Sequence, residues 1–418
     1  MHATSCDIAI VGGGIIGASC ALALSDLGQD VLLIEPQDLA SGASKGNAGG
    51  LAFADILPLA SPRIIRQALH WLSDPLGPLS LPPAYLPRML PWLVHMWRAS
   101  LRDRYSANIR AQAALMTLAH DEMMAMLEQA GLMNHLHSQG VLEVYEGEKR
   151  YQASMDNTHW RTRYGIESQT LQGADLAHCQ PGLSPQFTHG IYIPSWRNVA
   201  DPQALGQAIG QAAIDRGVRH LRQSVRWLQP MGAGARLILE DGSQLQARQV
   251  VLAAGAHSHL LARGLGDRIP LETERGYNTT LAPDALDLRQ QITFGDHGFV
   301  ISPLTCGIRV GGAVELAGLD RAPNYRRAQV MLDKAKAFFP DLKADGGTQW
   351  MGFRPSLPDS LPIIARSPRH PAVVYAFGHG HLGLTQSAAT ARLVHDLISD
   401  QTPAIDLQPY RVDRFRLL

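Results

Sequence analysis

Hydrophobic and polar residues open the chain in an order typical of a strand–helix–strand unit. Asp7-Ile8-Ala9-Ile10-Val11 is a short apolar run suited to a buried parallel strand, and Val31-Leu32-Leu33-Ile34 is a second one. Small residues from Ala18 to Leu27 predict the helix between them, and Gly28 follows where a helix commonly ends. The start of the chain therefore predicts a βαβ unit.

The rest of the chain alternates between helical and extended patterns. Helices are predicted over 106–131, 201–216, 329–339 and 388–398. Asp201 is suited to cap the second of these, because Pro202 follows in its first turn. Strands are predicted over 137–145, 190–194, 224–228, 235–239 and 249–255, with a β-rich stretch over 270–314. Prolines spread over 57–101 exclude one continuous helix there.

Composition limits the classes of function. The 418 residues are 45% hydrophobic and 18% charged, which suffices for two packed domains. Lys+Arg and Asp+Glu both number 37, and this balance argues against a nucleic-acid-binding protein. The cysteines lie far apart with no C-x-x-C pair, so neither a zinc site nor a disulfide framework is predicted. We expect no metal site.

The first turn of the βαβ unit carries a G-x-G-x-x-G motif formed by Gly12, Gly14 and Gly17. Such glycines allow a tight turn, close approach of a pyrophosphate and close packing of helix on strand. Glu35 follows at the end of the second strand, where a carboxylate binds ribose hydroxyls. Strand, motif, helix, strand and acid in this order predict a dinucleotide site.

Four further segments carry a resemblance to a known family. They are Ser44-x-x-Asn47-Ala48-Gly49, the strand Val250–Gly255, the block Gly352-Phe353-Arg354-Pro355 and the turn Gly378–Gly383. Together with the first motif they resemble the D-amino-acid oxidase-like flavoproteins, in particular bacterial D-amino-acid dehydrogenases and the related proline- and hydroxyproline-type enzymes. One departure is Lys45-Gly46, where the dehydrogenases carry Phe-Ala; Gly46 removes a side chain beside the flavin.

The resemblance implies an α/β fold in which a Rossmann-like FAD-binding domain is interleaved with an α+β substrate domain on a mostly antiparallel sheet. The expected FAD-binding domain comprises 1–80, 200–262 and 346–418, and the substrate domain 81–199 and 263–345. The turn at Gly378–Gly383 would begin a C-terminal helix whose N-terminus stabilises negative charge on the reduced flavin. The expected FAD contacts are Gly12, Gly14, Ile15, Ile16, Gly17, Glu35, Ala43, Ser44, Asn47, Gly49, Gly50, Leu51, Val225, Ala254, Gly255, Gly352, Arg354, Gly380, His381, Leu382, Gly383 and Leu384.

The activity implied is oxidation of a small amino acid, D-configured by resemblance alone, to an imine by hydride transfer from Cα to flavin N5. Such chemistry needs a carboxylate anchor more than a base, and an arginine supplies a planar fork for one. The resemblance implies that Arg354 is this anchor, because it lies between two segments expected to contact the flavin and matches the family's carboxylate-binding arginine; a structural arginine that closes a surface loop is the alternative. Tyr277 is expected to share the carboxylate, although a strand residue without contact to substrate is nearly as plausible. His379 and His381 are weaker catalytic candidates, because the backbone of their turn would do most of the work.

Other readings remain open at this point. A quinone or a protein is the favoured electron acceptor, and a glycine- or sarcosine-type oxidase would use O₂ instead. A 2-hydroxy acid dehydrogenase would need His379 or His381 as a base. The alternative that is not an enzyme on its own is a flavin-carrying subunit of a hetero-oligomer, which only binds the flavin and relays electrons. The sequence predicts neither the oligomeric state nor the side chain of the substrate.

The start of the chain shows no signal peptide and no segment is apolar enough to span a bilayer, so a cytoplasmic enzyme is expected. Residues 81–98 are apolar and interrupted by prolines, and Trp92, Trp97, Arg88 and Arg98 give the segment an interfacial character. Peripheral contact with the inner face of the membrane is therefore one prediction. A helix packed on the substrate domain is the favoured alternative.

Overall fold

The computed structural model describes residues 4–61, 71, 74 and 76–416. In this part of the chain the strands are β1 (Thr4–Val11), β2 (Val31–Ile34), β3 (Gly50–Leu51), β4 (Leu79–Ser80), β5 (Leu136–His137), β6 (Val141–Tyr145), β7 (Gln169–Gln172), β8 (His189–Ile193), β9 (Arg197–Val199), β10 (Arg219–Leu221), β11 (Val225–Met231), β12 (Gly234–Leu239), β13 (Gln244–Leu252), β14 (Glu272–Thr280), β15 (Gln291–Phe294), β16 (Phe299–Leu304), β17 (Gly307–Leu316), β18 (Thr348–Ser356), β19 (Ile363–Arg366) and β20 (Val373–Phe377).

The α-helices of the same residues are α1 (Ile15–Leu24), α2 (Leu86–Ala99), α3 (Arg102–Gln129), α4 (Gly147–Arg163), α5 (Gly173–Cys179), α6 (Pro202–Asp215), α7 (Ser258–Gly264), α8 (Arg326–Phe338) and α9 (Gly383–Ile398). Asp201 caps α6 as predicted, because its Oδ1 accepts hydrogen bonds from the backbone N–H groups of Gln203 and Ala204. The last helix begins at Gly383, five residues before its predicted start, and this places its N-terminus directly after the glycine-rich turn.

The first sheet holds the predicted βαβ unit. Its centre is parallel, in the order β10-β2-β1-β13-β20, with β19 at one edge and the meander β12-β11 attached to the first half of β13. One face packs against α1, α6 and α9 through a large apolar cluster, and the other packs against the meander and α7. Parallel strands buried on both faces need apolar residues at every position, which is the pattern of 8–11 and 31–34.

The second sheet has the order β18-β14-β17-β16-β15-β6-β8-β7 and is mostly antiparallel. Its exceptions are the parallel pairs of β15 with β6 and of β17 with β4. Helix α8 packs on this sheet around Phe294, Phe299 and Phe338. The predicted α/β class with two interleaved units is confirmed.

The boundaries between the two sheets differ from the predicted domain ranges in two places. Strand β18 lies in the range assigned to the FAD-binding domain, but it pairs along its whole length with β14 of the second sheet. Strand β4 also joins the second sheet, through β17. A short strand pattern does not reveal its partner, so the sequence could not assign either one. Pro62 and Pro75 of the proline-rich segment lie outside the described residues, whereas Pro91 lies inside α2.

Candidate active site

A cavity of about 960 Å³ lies between the two sheets and is lined by residues from both. It extends from the turn after β1, past the loop 41–50, to the facing strands β14 and β18 and the start of α9. Of the residues expected to contact FAD or substrate, all line this cavity except Gly17, Gly49 and Leu51. The separate sequence motifs are thus brought to one place.

The glycines of the first turn are required by close approach of backbone. Gly12 has φ of +106°, and a Cβ there would lie 2.5 Å from the carbonyl oxygen of Ala253. A Cβ at Gly17 would lie 1.8 Å from the carbonyl oxygen of Gly12, so this glycine allows α1 to pack on β1 rather than lining the cavity. A Cβ at Gly14 would meet only Ser44 Oγ, at 3.7 Å, which leaves the turn open to a ligand.

Two side chains complete this end of the cavity. Glu35 accepts a hydrogen bond from the backbone N–H of Gly13 at 2.7 Å, so its carboxylate is held at the end of β2. Ser44 Oγ accepts one from the N–H of Ile15 at 3.1 Å, at the first turn of α1. A glycine-rich turn at a helix N-terminus with a carboxylate beside it fits the pyrophosphate and ribose of a dinucleotide.

The loop 44–50 is fastened to the second sheet by two residues that the sequence analysis did not identify. Asn278 Nδ2 donates to the carbonyl of Gly46 at 3.1 Å. Arg309 Nη1 donates to the carbonyls of Lys45, at 3.1 Å, and Asn47, at 2.5 Å. Burial lowers the pKa of Arg309. No local motif marks either residue, because the contact spans more than 200 positions of the chain.

The opposite end of the cavity is formed by the start of α9. Gly378 and Gly380 take positive φ values of +90° and +54°, which shape the turn before the helix. The N-cap residue Leu382 makes no side-chain capping bond, so the first N–H groups of α9 remain available to an anionic group. Thr385 Oγ1 accepts a hydrogen bond from the N–H of Ala52 at 3.0 Å and joins this helix to the segment after the loop 44–50. These features fit the pyrimidine end of a flavin.

One face of the strand pair β14–β18 forms the floor of the cavity. The two strands are antiparallel, and Glu274 lies opposite Arg354, Gly276 opposite Gly352, and Asn278 opposite Trp350. Side chains alternate between the faces of a strand, so these residues share one face. The glycine pair in the middle leaves room above the strands for the two large side chains at its ends.

Arg354 occupies that room at one end. Its guanidinium lies over Gly276, where an added Cβ would be 2.3 Å from Cζ. Nη1 donates to the carbonyl of Ala313 at 3.0 Å, and Ala313 adopts an unusual φ of +52°. Burial lowers the pKa of Arg354, and the nearby Glu274 partly offsets this. The guanidinium stays cationic and is held beside the cavity.

Trp350 occupies the other end and was not predicted from the sequence. An added Cβ at Gly46 would lie 1.8 Å from its Cζ3, and one at Gly352 would lie 1.8 Å from its Cη2. The indole ring therefore fills the space that the unusual glycine at position 46 leaves beside the flavin loop. The departure from the Phe-Ala pattern is matched by a large side chain on a distant strand.

Glu274 links this floor to the glycine-rich turn. It accepts from Ser356 Oγ at 2.6 Å and lies 2.7 Å from Nε2 of His381. Burial alone would raise the pKa of the Glu274 carboxyl, but His381, Ser356 and Arg354 outweigh burial and lower it to about 2. The His381 side chain is 37% exposed and lines the cavity. A fixed carboxylate thus orients an accessible imidazole.

Two sequence-predicted residues are directed away from this arrangement. Tyr277 lies on the opposite face of β14 from Glu274 and Gly276, and its hydroxyl donates to Glu315 and accepts from the N–H of Asn324. It does not share a ligand with Arg354, because an odd spacing along a strand reverses the face. His379 is buried, and its Nε2 contacts Thr390 Oγ1 at 2.9 Å. Burial lowers its pKa to about 3.

Comparison with known proteins identifies relatives along the whole chain. A model of the family described as FAD dependent oxidoreductase matches residues 7–397. The chain is 32% identical over 420 residues to a D-amino-acid oxidase of Bradyrhizobium diazoefficiens, covering 98% of both proteins. It is 27% identical to D-amino acid dehydrogenase 1 of Mesorhizobium japonicum, over 98% of this chain and 99% of the relative. Glycine oxidase from Geobacillus kaustophilus has the same fold, with a TM-score of 0.75 and 24% identity over 98% of this chain and 99% of that chain.

The contact between Gly46 and Trp350 predicts a matched pair of residues. Gly46→Ala places a methyl group inside the indole ring, so the FAD loop must move, and we expect FAD affinity to fall at least about tenfold. Trp350→Leu in the same chain should restore most of the affinity. FAD binding is measured by flavin fluorescence during reconstitution of the apoprotein. Gly232→Ala is the control, because a Cβ there meets no atom within 4 Å; equal losses in the single and double variants would refute the pairing.

The buried His379 predicts a specific dependence of stability on pH. A histidine in the unfolded chain has a pKa near 6.5, so between about pH 6.5 and 3 the unfolded state binds a proton that the folded state does not. Its contribution to the unfolding free energy therefore falls with falling pH by up to about 1.4 kcal/mol per pH unit. His379→Gln should make the decline of Tm below pH 6.5 shallower, and the exposed control His178→Gln should not. If His379→Gln instead loses turnover while its Tm depends on pH as in the wild type, the imidazole acts in catalysis rather than in stability.

Proposed function

Because the chain belongs to the DAO family of FAD-dependent oxidoreductases, we propose that it oxidises a small D-amino acid at the C–N bond to give an imine. The enzyme class and the cofactor predicted from the motifs are confirmed by this membership. Water would hydrolyse the imine to a 2-oxo acid and ammonia, and a proline-like substrate would instead release a cyclic imine. The D-configuration is supported by relatives named D-amino-acid oxidase and D-amino acid dehydrogenase.

The position of Arg354 carries this proposal. It is the cation on the cavity floor, and among the described residues its guanidinium donates a hydrogen bond only to Ala313. Guanidinium has five N–H donors in a planar fork, so most of them are left for a ligand. A carboxylate is the group that such a fork binds best, and an α-amino acid carries one next to the carbon that is oxidised.

The chain's own residues prepare this reaction in distinct ways. The first turn with Glu35 and Ser44, the loop 44–50 and the start of α9 would hold FAD, which accepts two electrons when bound. Arg354 orients the substrate through its carboxylate. Trp350 closes one side of the cavity and excludes water from it.

His381 is suited to take up the proton of the substrate ammonium group. When its Nε2 donates to Glu274, the lone pair of the neutral ring is on Nδ1. The side chain is accessible from the cavity, whereas His379 is paired with Thr390. Loss of the ammonium proton leaves the amine lone pair that the oxidation requires, and no further base is needed.

We also propose that the electrons pass to a quinone or another protein at the inner face of the membrane. Helix α2 supports this, because it has two apolar faces. Met89 and Trp92 are buried against Leu316 of the second sheet, as expected for a helix packed on the substrate domain. The opposite face exposes a continuous apolar stripe formed by Leu86, Leu90, Val94 and Trp97.

The surroundings of this stripe are basic. Arg88, Arg102 and Arg104 are exposed on or just after α2, and Arg98 is half-buried. Arg88 lies two positions from Leu86 and Leu90 and faces away from the stripe, whereas Arg98, Arg102 and Arg104 lie near its C-terminal end, together with the exposed Asp103. An apolar stripe with net positive charge at one end suits a membrane surface that contains anionic lipids. None of the helices in the described residues combines the length and the hydropathy needed to cross a bilayer.

The proposed activity is tested by titrating the FAD-loaded protein anaerobically with D- and L-amino acids, glycine, sarcosine, prolines, hydroxyprolines and 2-hydroxy acids. We expect D-amino acids to bleach the flavin absorption and their L-enantiomers to fail. Slow recovery of the absorption in air and fast recovery with a soluble quinone would match the proposed acceptor. Bleaching by 2-hydroxy acids alone, or by no compound, would contradict the proposal.

Arg354→Gln should lower kcat/KM for the best amino acid by roughly 100-fold, mainly through a higher KM, because the carboxylate loses its charged partner. Arg354→Lys should recover only part of the loss, since an ammonium group lacks the bidentate fork. The exposed Arg110→Gln is the control. An unchanged KM in Arg354→Gln would show that another group anchors the substrate.

The stripe on α2 predicts sedimentation with vesicles that contain phosphatidylglycerol, and weaker binding to pure phosphatidylcholine. Replacing Leu90 and Trp97 by Ser should remove most of the binding without loss of FAD, because both side chains are about half exposed. Trp227→Ser is the control, since Trp227 is exposed on β11 outside this stripe. Equal binding of the stripe variant and the wild type would refute a membrane role for α2.

A further inference from the structure

Asp55 is a carboxylate on the cavity wall that belongs to none of the sequence motifs. It follows the loop 44–50, in a turn whose backbone is hydrogen-bonded to residues on both sides. The N–H of Asp55 donates to the carbonyl of Ala52 at 2.9 Å, and Gln112 of α3 donates to the carbonyl of Asp55 at 3.4 Å. The N–H of Ala52 is in turn bonded to Thr385 of α9. Two helices thus hold the backbone of this turn beside the cavity.

The side chain itself is unpaired in the described residues. Its carboxylate makes no hydrogen bond or ion pair with any of them, although it lines the cavity and is otherwise surrounded by protein. Burial raises the pKa of Asp55, and the charge of Arg161 only partly offsets this. A desolvated carboxylate without a donor is costly, so native proteins usually supply a partner.

The two cationic groups near Asp55 already have carboxylates of their own. Arg161 forms a two-pronged ion pair with Glu143, at 2.6 and 3.0 Å. His381 is paired with Glu274 at 2.7 Å. Each of these pairs balances its own charge, so neither cation is left to compensate Asp55. Burial by itself favours the neutral acid, and a cationic ligand group beside Asp55 would favour its carboxylate.

The charged groups of a bound amino acid indicate which of them could be the partner of Asp55. Its α-carboxylate balances Arg354 at the floor of the cavity. Its α-amine must be neutral when it is oxidised, because the lone pair drives the reaction, and so cannot remain the partner of Asp55. The remaining source of positive charge is the substrate side chain.

We propose that Asp55 binds the side-chain cation of the substrate, so that the pocket selects D-amino acids with an amino or guanidinium group, such as D-ornithine, D-lysine or D-arginine. This inference rests on the proposed function and adds the substrate class to it. Arg354 and Asp55 then bind the two charged ends of one molecule. An acidic side chain would meet a second carboxylate and be rejected.

The test compares substrates that differ only in the side-chain cation. Anaerobic bleaching of the flavin and steady-state kcat/KM are measured for D-lysine against D-norleucine and for D-ornithine against D-norvaline, with D-glutamate as the opposite charge. In the wild type we expect the basic member of each pair to be preferred at least about tenfold, the value of a charge-assisted contact in a desolvated site. A wild type that prefers the neutral members overturns the inference without any variant.

Asp55→Asn identifies the residue responsible. It should reduce the preference for D-lysine over D-norleucine at least about tenfold. Asp156→Asn is the matched control, because Asp156 is exposed on α4, the helix that carries Arg161. If Asp55→Asn fails to retain FAD, Asp55→Ser is used instead. The wild-type ratios of kcat/KM for basic over neutral substrates test the substrate class without any variant.

The outcomes separate the inference from the function on which it rests. An equal loss of kcat/KM for both members of a pair in Asp55→Asn would mean that Asp55 acts on the α-amine or on the fold, and overturns the inference alone. Bleaching by neutral amino acids with no preference for basic ones does the same. If no amino acid bleaches the FAD-loaded wild type, the proposed function fails, and this inference fails with it.

Discussion

The antiparallel pairing of β14 with β18 is the constraint on which the rest of the site depends. Its register sets Gly276 opposite Gly352, and the absence of two side chains there makes room for an indole ring and a guanidinium on one face. A shift of one residue would direct Trp350 and Arg354 to the other face of the sheet. The position of the Arg354 side chain, the space beside it and the position of Glu274 follow from one ladder of backbone hydrogen bonds.

The same ladder couples the substrate side of the cavity to the cofactor side. Asn278 lies on β14 and Arg309 on its neighbour β17, and both bond the carbonyls of the loop that would lie along the flavin. On the other side, Thr385 of the last helix bonds the segment that follows this loop. The loop is therefore shaped by strands of the second sheet and by a helix that packs on the first. Cofactor binding and the packing of the two sheets are energetically linked through it.

Much of this could be predicted from local sequence, and the reasons for the remainder are specific. The βαβ unit and the Asp201 cap depend on neighbouring residues, so their patterns were sufficient. The pairing of β18 with β14 could not be predicted from the sequence, because the two strands lie about 70–80 positions apart. Tyr277 was placed near Arg354 because the sequence does not state which face of a strand a residue occupies. Trp350, Asn278 and Arg309 were missed because each acts through a contact between distant segments.

The central pairing of the first sheet has a consequence for how the chain is made. Strand β1 begins to pair at Thr4 with Leu245, a separation of 241 residues, and β20 joins later still. At a synthesis rate of about 5–20 residues per second, roughly 12–50 s pass between the synthesis of β1 and the synthesis of β13. During that time β1 can pair with β2, but its other edge lacks its native partner. One edge of the nascent βαβ unit thus stays open to pairing with other chains until late in translation. FAD can stabilise the fold only after that point, because the cavity is also lined by Ala254, Gly352 and Gly380.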